Sequence, residues 1–161
     1  MVRHDVSFSY VVFADKNELT TEDQFLLSKA SEAAAKAYAP YSDFKVGVAI
    51  RTQDQQLVTG SNQENGSFPV GQCAERVALY LLTHELGRIP IETIAIVVDN
   101  MAQLLPASPC GSCRQMLMEY RQHQDAPIRL LLSSVRGPEI YEIKDVNDLL
   151  PFAFDGSFLG Q

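Results

Sequence analysis

At 161 residues the chain is long enough for one domain with a sizeable core, and its 46% hydrophobic content contains no repeat, low-complexity tract or apolar run near the ~18 residues that span a membrane. A formal charge of −7 without a basic stripe argues against a polynucleotide partner and for a small neutral ligand. Three cysteines cannot all pair within the chain, and Met1-Val2-Arg3-His4-Asp5 lacks the apolar core of a secretion signal, so reduced thiols and a cytoplasmic location are expected.

Residues 6–13 alternate in character and read as a strand with Phe8, Tyr10 and Val12 on one face. Thr20 or Thr21 followed by Glu22, Asp23 and Gln24 starts a helix, since a hydroxyl caps free amides and acids complement the dipole. This helix is expected to reach about Tyr38, burying Phe25, Leu26, Ala30, Ala33, Ala34 and Ala37, and Ala39-Pro40 ends it. Residues 41–50 form a loop entering a strand, Asp54 to Gln56 a turn, and residues 57–61 the returning strand. Asn62-Gln63-Glu64-Asn65 closes that strand and, in isolation, reads as a turn. From Cys73 a helix runs to Gly87 as C-cap, with Val77, Ala78, Leu81 and Leu82 as its apolar face.

Residues 93–98 form a continuous apolar run, typical of a central strand covered on both faces. A loop through Pro106 and Pro109 leads to a helix from Cys110 to about His123. Residues 128–133 and 139–144 read as strands, and residues 146–151 as a helical turn. This alternation predicts an α/β fold, a three-layer α/β/α sandwich around a mixed sheet of about five strands, with the N-terminal strand added to it.

All three cysteines lie in two stretches, Gln72-Cys73-Ala74-Glu75-Arg76 and Ser108-Pro109-Cys110-Gly111-Ser112-Cys113-Arg114-Gln115. Each stretch opens a predicted helix, where free N–H groups and the dipole stabilise thiolate. Three thiolates fill three positions of a tetrahedral zinc ion and leave the fourth for water, the open arrangement of a catalytic site. A closed structural site needs a fourth protein ligand, and there is no fourth cysteine. A carboxylate beside such a site can move protons, which makes Glu75 the candidate general acid/base. Arg76 would offset the excess charge of three thiolates by donating to the sulfurs. His4, His84 and His123 follow no ligand spacing and read as surface or interface residues.

Cys-Ala-Glu-Arg at 73–76 followed by Pro-Cys-x-x-Cys at 109–113 resembles the zinc-dependent cytidine deaminase family, in its homotetrameric, all-cysteine branch. The resemblance spans roughly residues 20–154, leaving residues 1–19 as an N-terminal extension and residues 20–161 as the catalytic domain. It implies Zn2+ held by Cys73, Cys110 and Cys113, with Glu75 catalytic. The implied reaction is hydrolytic deamination of cytidine and deoxycytidine to uridine and deoxyuridine with release of ammonia, a step of pyrimidine salvage. It further implies Phe44 and Ala74 as substrate-binding residues and Asn62 and Glu64 as the pair that holds the sugar 3′-hydroxyl. Phe154, the last aromatic of Leu149-Leu150-Pro151-Phe152-Ala153-Phe154, is similar to the family's residue that reaches into a neighbouring subunit's site, so a D₂ homotetramer with shared sites is implied. The sequence departs from the family at Gly66-Ser67-Phe68, where Ala-x-Tyr is usual, and at Pro69-Val70-Gly71.

Other readings remain. Cys110-Gly111-Ser112-Cys113 alone resembles a thioredoxin-type redox motif, but that leaves Cys73-Ala74-Glu75 unexplained. A zinc-stabilised non-enzymatic module would need a fourth ligand. Within the same fold, a related aminopyrimidine or an aminated nucleoside antibiotic is the rival substrate.

Overall fold

The computed structural model describes residues 1–160, and its elements follow the chain as β1 (Val11–Phe13), α1 (Thr21–Ala34), β2 (Lys45–Thr52), β3 (Leu57–Ser61), α2 (Ala74–Leu86), β4 (Ile91–Asp99), α3 (Gly111–Arg121), β5 (Arg129–Ser134) and β6 (Ile140–Ile143). The strands form one six-stranded sheet in the order β1-β6-β5-β4-β2-β3. β4 and β5 are parallel, and every other neighbouring pair is antiparallel. The expected mixed sheet is present, and the N-terminal strand adds to its edge. That strand is shorter than expected: β6 offers partners only to Val11, Val12 and Phe13, and Phe8 and Tyr10 remain exposed.

Side-chain alternation along the strands divides the core into two layers. Val48, Ile50, Ile94, Ile96, Leu130 and Leu132 pack under α2 and α3, whereas Ala49, Ala95, Val97 and Leu131 pack under α1. The result is the α/β/α sandwich. Two glycines set how closely the helices approach the sheet. A Cβ at Gly47 would lie 2.0 Å from the carbonyl oxygen of Ala30 in α1, and one at Gly60 would lie 2.6 Å from the amide nitrogen of Ala78 in α2. Both helices therefore rest directly on strand backbone.

The Thr20 hydroxyl caps α1 by accepting from Asp23 N at 3.2 Å. The helix stops at Ala34, short of the expected Tyr38, because Tyr38 already pairs with the end of β3: its N–H donates to Asn62 O and its carbonyl accepts from Glu64 N. Phe25, expected inward, is 53% exposed with the Lys29 ammonium over its ring. The buried position is taken instead by Asp23, whose two carboxylate oxygens each accept from Arg129 Nη1 at 2.8 Å. In α2 the buried stripe is Ala74, Glu75, Ala78, Leu79 and Leu82, so Leu81 faces outward rather than inward as expected. Among the described residues no helix is long and apolar enough to cross a membrane.

Candidate active site

Cys73 is the N-cap of α2 and Cys110 the N-cap of α3, each with extended backbone and without a side-chain capping bond. Their sulfurs therefore sit where helix amides lack partners and the dipole is positive. Cys113 follows in the first turn of α3 and is buried. The Cys73 and Cys110 sulfurs are 4.0 Å apart, those of Cys110 and Cys113 are 3.5 Å apart, and all three lie within 4.8 Å of one another. Tetrahedral ligands at the usual zinc–sulfur distance of ~2.3 Å stand roughly 3.8 Å apart, so this donor set fits zinc. Among the described residues no fourth His, Cys, Asp or Glu joins the group. The three histidines stay outside it, and His123 pairs with Glu119 at 3.0 Å.

Charge is arranged for such an ion. The hydrogen bond from Cys113 holds the Cys73 thiol down to about 5, with Arg76 contributing. The bond to Cys73 and burial push Cys113 up in turn. Arg76 reaches Cys73 Sγ at 3.9 Å and Gly71 O at 3.4 Å through Nη2, while its buried Nε has no protein partner. Glu75 is 6% exposed, and burial raises its carboxyl above the ordinary carboxylate range, with the Cys73 charge adding to the effect. A buried carboxyl raised in this way is suited to hold and release a proton.

Cys73, Cys110, Glu75 and Arg76 line a cavity of about 700 Å³, a size suited to a nucleoside-sized ligand. Phe44, Asn62, Glu64, Ala74, Glu75, Arg76, Cys73 and Cys110 share its walls, so the sequence-predicted residues come together. Phe154 does not. It is exposed, stacks on Phe158 with centroids 5.5 Å apart, and its carbonyl accepts from Gln115 Nε2 at 2.7 Å. Phe68 also lines the cavity, edge-on to Tyr41 with ring centroids 6.0 Å apart.

Each of the sugar-reading candidates already has partners within residues 41–46. Asn62 Oδ1 accepts from Val46 N at 2.8 Å and its Nδ2 donates to Phe44 O at 2.9 Å. Glu64 Oε2 accepts from Tyr41 N at 2.9 Å, and Oε1 accepts from the Ser42 hydroxyl. Tyr41 and Ser42 carried no motif and were not legible as site residues. Nor was Arg114, which pins the ligand loop by donating to Pro109 O at 2.9 Å, Ser108 Oγ at 2.9 Å and Leu149 O at 3.2 Å.

A family profile described as "Cytidine and deoxycytidylate deaminase zinc-binding region" matches residues 20–125. The chain is 40% identical over 131 residues to the cytidine deaminase of Halalkalibacterium halodurans, covering 81% of this chain and 92% of that one. Its structure is similar to the crystal structure of cytidine deaminase from Burkholderia pseudomallei, with a TM-score of 0.71 and 36% identity over 84% of this chain and 100% of that one. The cytidine deaminase structure from Mycobacterium tuberculosis gives a TM-score of 0.65 at 33% identity, over 84% of this chain and 99% of that one.

Proposed function

We propose, because this chain belongs to the cytidine deaminase family, that it hydrolyses cytidine and deoxycytidine to uridine and deoxyuridine with release of ammonia. The observation that carries this reading is the buried carboxyl of Glu75 beside three clustered sulfurs in a nucleoside-sized cavity. Cys73, Cys110 and Cys113 would hold the zinc ion. When bound, zinc supplies the Lewis acidity that makes hydroxide available near neutral pH.

The remaining work falls to the chain's own groups. Glu75 takes a proton from the water that adds at C4 and delivers it to ring N3, then takes the proton of the new C4 hydroxyl and passes it to the amine that leaves as ammonia. Burial raises that carboxyl's proton affinity, which favours its holding a proton between transfers. Arg76, beside the Cys73 sulfur, offsets the negative charge of the thiolates. Phe44 packs beside the base, and Ala74 forms part of the same cavity's lining.

The hydrogen-bonding capacity left over at Asn62 and Glu64 supports a hydroxyl as their ligand. After its bond to Phe44 O, the Asn62 amide nitrogen keeps one free N–H. Glu64 accepts from two backbone amides and one hydroxyl, so one of its roughly four acceptor positions remains. A hydroxyl that accepts from Asn62 and donates to Glu64 completes both groups. The 3′-hydroxyl is common to cytidine and deoxycytidine, so both are accepted.

Phe154 belongs, in this reading, to the site of a neighbouring subunit in a D₂ homotetramer, and its exposure in a single chain supports that role. A place in pyrimidine salvage and a cytoplasmic location, where thiols stay reduced, fit the chemistry.

A substrate panel scored for ammonia release tests the proposal. Cytidine and deoxycytidine are expected to be turned over well, free cytosine and cytidine monophosphate poorly. Free base leaves the Asn62–Glu64 pair unmatched, a loss of roughly 1–3 kcal/mol per unsatisfied group. Glu64→Ala should damage nucleoside turnover and leave the weak reaction with free base little changed. Equal efficiency on cytosine and cytidine contradicts the reading of the sugar, and preference for an aminated antibiotic would put that substrate first.

A further inference from the structure

The loop between α1 and β2 carries Phe44, and one hydroxyl ties it to Glu64, which lines the same cavity. Ser42 Oγ accepts from Phe44 N at 3.0 Å and donates to Glu64 Oε1. The second carboxylate oxygen of Glu64 accepts from Tyr41 N at 2.9 Å. Between Ser42 and Phe44, Asp43 stands at φ 51°, a left-handed conformation uncommon for a residue with a side chain, and its carbonyl accepts from Asn100 Nδ2 at 3.1 Å. A turn of this kind persists when surrounding groups determine it. Here Asn100 and Ala39 hold Asp43 itself, and Ser42 beside it ties the turn to Glu64, which is proposed above to read the substrate.

We propose that Ser42 is a positioning residue for nucleoside recognition: its hydroxyl locks the Glu64 carboxylate to the backbone of Phe44, so that the sugar-reading group and the base-packing ring are fixed relative to each other before substrate arrives. The inference rests on the nucleoside reading of the site. Without that hydroxyl, Glu64 keeps only backbone donors, both on Oε2, Oε1 loses its protein partner, and Phe44 N turns to water. Substrate must then order these groups as it binds, and affinity falls for lack of preorganisation. The same hydroxyl, followed by the Tyr41 N–H, holds the Glu64 carboxyl below its ordinary range and thus ionised to accept from a sugar hydroxyl.

A cycle of two substrates and two proteins separates positioning from simple damage to the loop. The zinc-loaded enzyme and its Ser42→Ala variant are assayed on cytidine and on 3′-deoxycytidine, with kcat and KM resolved. The loss of one charge-assisted hydrogen bond is expected to raise KM for cytidine roughly tenfold, with kcat changed by less than about threefold. On 3′-deoxycytidine the rise is expected to be about threefold, since the hydroxyl that Glu64 reads is already missing. Ser42→Thr, which keeps the hydroxyl, should restore the cytidine KM. Ser42→Cys, close in size but a poor donor, follows the Ala pattern and serves if the Ala variant does not fold. Equal loss on both nucleosides, or loss confined to kcat, overturns the inference while leaving the substrate assignment intact. An unmodified enzyme that treats the two nucleosides alike overturns the sugar reading itself, and the role of Ser42 with it.

Discussion

Gly60→Ala tests how the sheet places the catalytic helix. The added methyl would stand 2.6 Å from Ala78 N and 2.9 Å from its Cα and Cβ, whereas ordinary contact begins at 3.4 Å, so α2 must retreat by about 0.8 Å at this point. The obstructing atoms are the backbone and Cβ of Ala78, and no side-chain rotation relieves them. Overpacking of this kind costs roughly 1–3 kcal/mol. Stiffening of the unfolded chain at a former glycine returns about 0.4–1 kcal/mol. A net loss of about 1–2 kcal/mol lowers Tm by roughly 2–8 °C for a chain of this size.

The functional consequence is separate from that loss. Ala78 lies less than one turn after Glu75 on the same helix, so much of the retreat reaches the carboxyl and the Cys73 sulfur at the helix start. A misplacement near 1 Å costs up to ~10²-fold in rate, so kcat should fall roughly ten- to a hundredfold at temperatures where the variant is folded. Thermal melting by circular dichroism and steady-state ammonia release read the two effects. A variant with unchanged Tm and unchanged kcat would refute the close seating of α2 on β3.

Two further outcomes follow from the site. Elemental analysis should find one zinc per unmodified chain, and Cys110→Ala should lose it and melt earlier because metal binding and folding are coupled; full zinc occupancy in that variant removes Cys110 from the ligand set. Sedimentation should give a homotetramer, and Phe154→Ala should assemble yet turn over cytidine with a raised KM; a fully active monomer at every concentration contradicts shared sites.

The clustering of the three cysteines and the place of Glu75 beside them were legible because the pattern is written locally: each cysteine stretch is a few residues long and sits at a helix start that the sequence also marks. The strand order was less so, since β4 and β5 pair in parallel across an intervening helix that the alternation of elements only implies. Phe25 was misplaced because its hydrophobicity favoured burial, while the inward position went to Asp23, whose partner Arg129 lies 106 residues later in sequence. No local pattern announces such a pair. Gly60 reads as an ordinary strand glycine until the helix backbone is seen against it. Ser42 is a common loop residue, and only the fold brings Glu64, 22 residues away, to its hydroxyl.

The central claim is that the three sulfurs hold the metal and Glu75, which is not a ligand, moves the proton. Glu75→Gln, nearly identical in size, measures this most directly when zinc content and cytidine turnover are determined on the same preparation. Zinc at the level of the unmodified enzyme, with kcat reduced by at least ~10²-fold, is the expected result. Turnover near that of the unmodified enzyme in a zinc-loaded Glu75→Gln protein, or loss of the zinc itself, would contradict the roles assigned here.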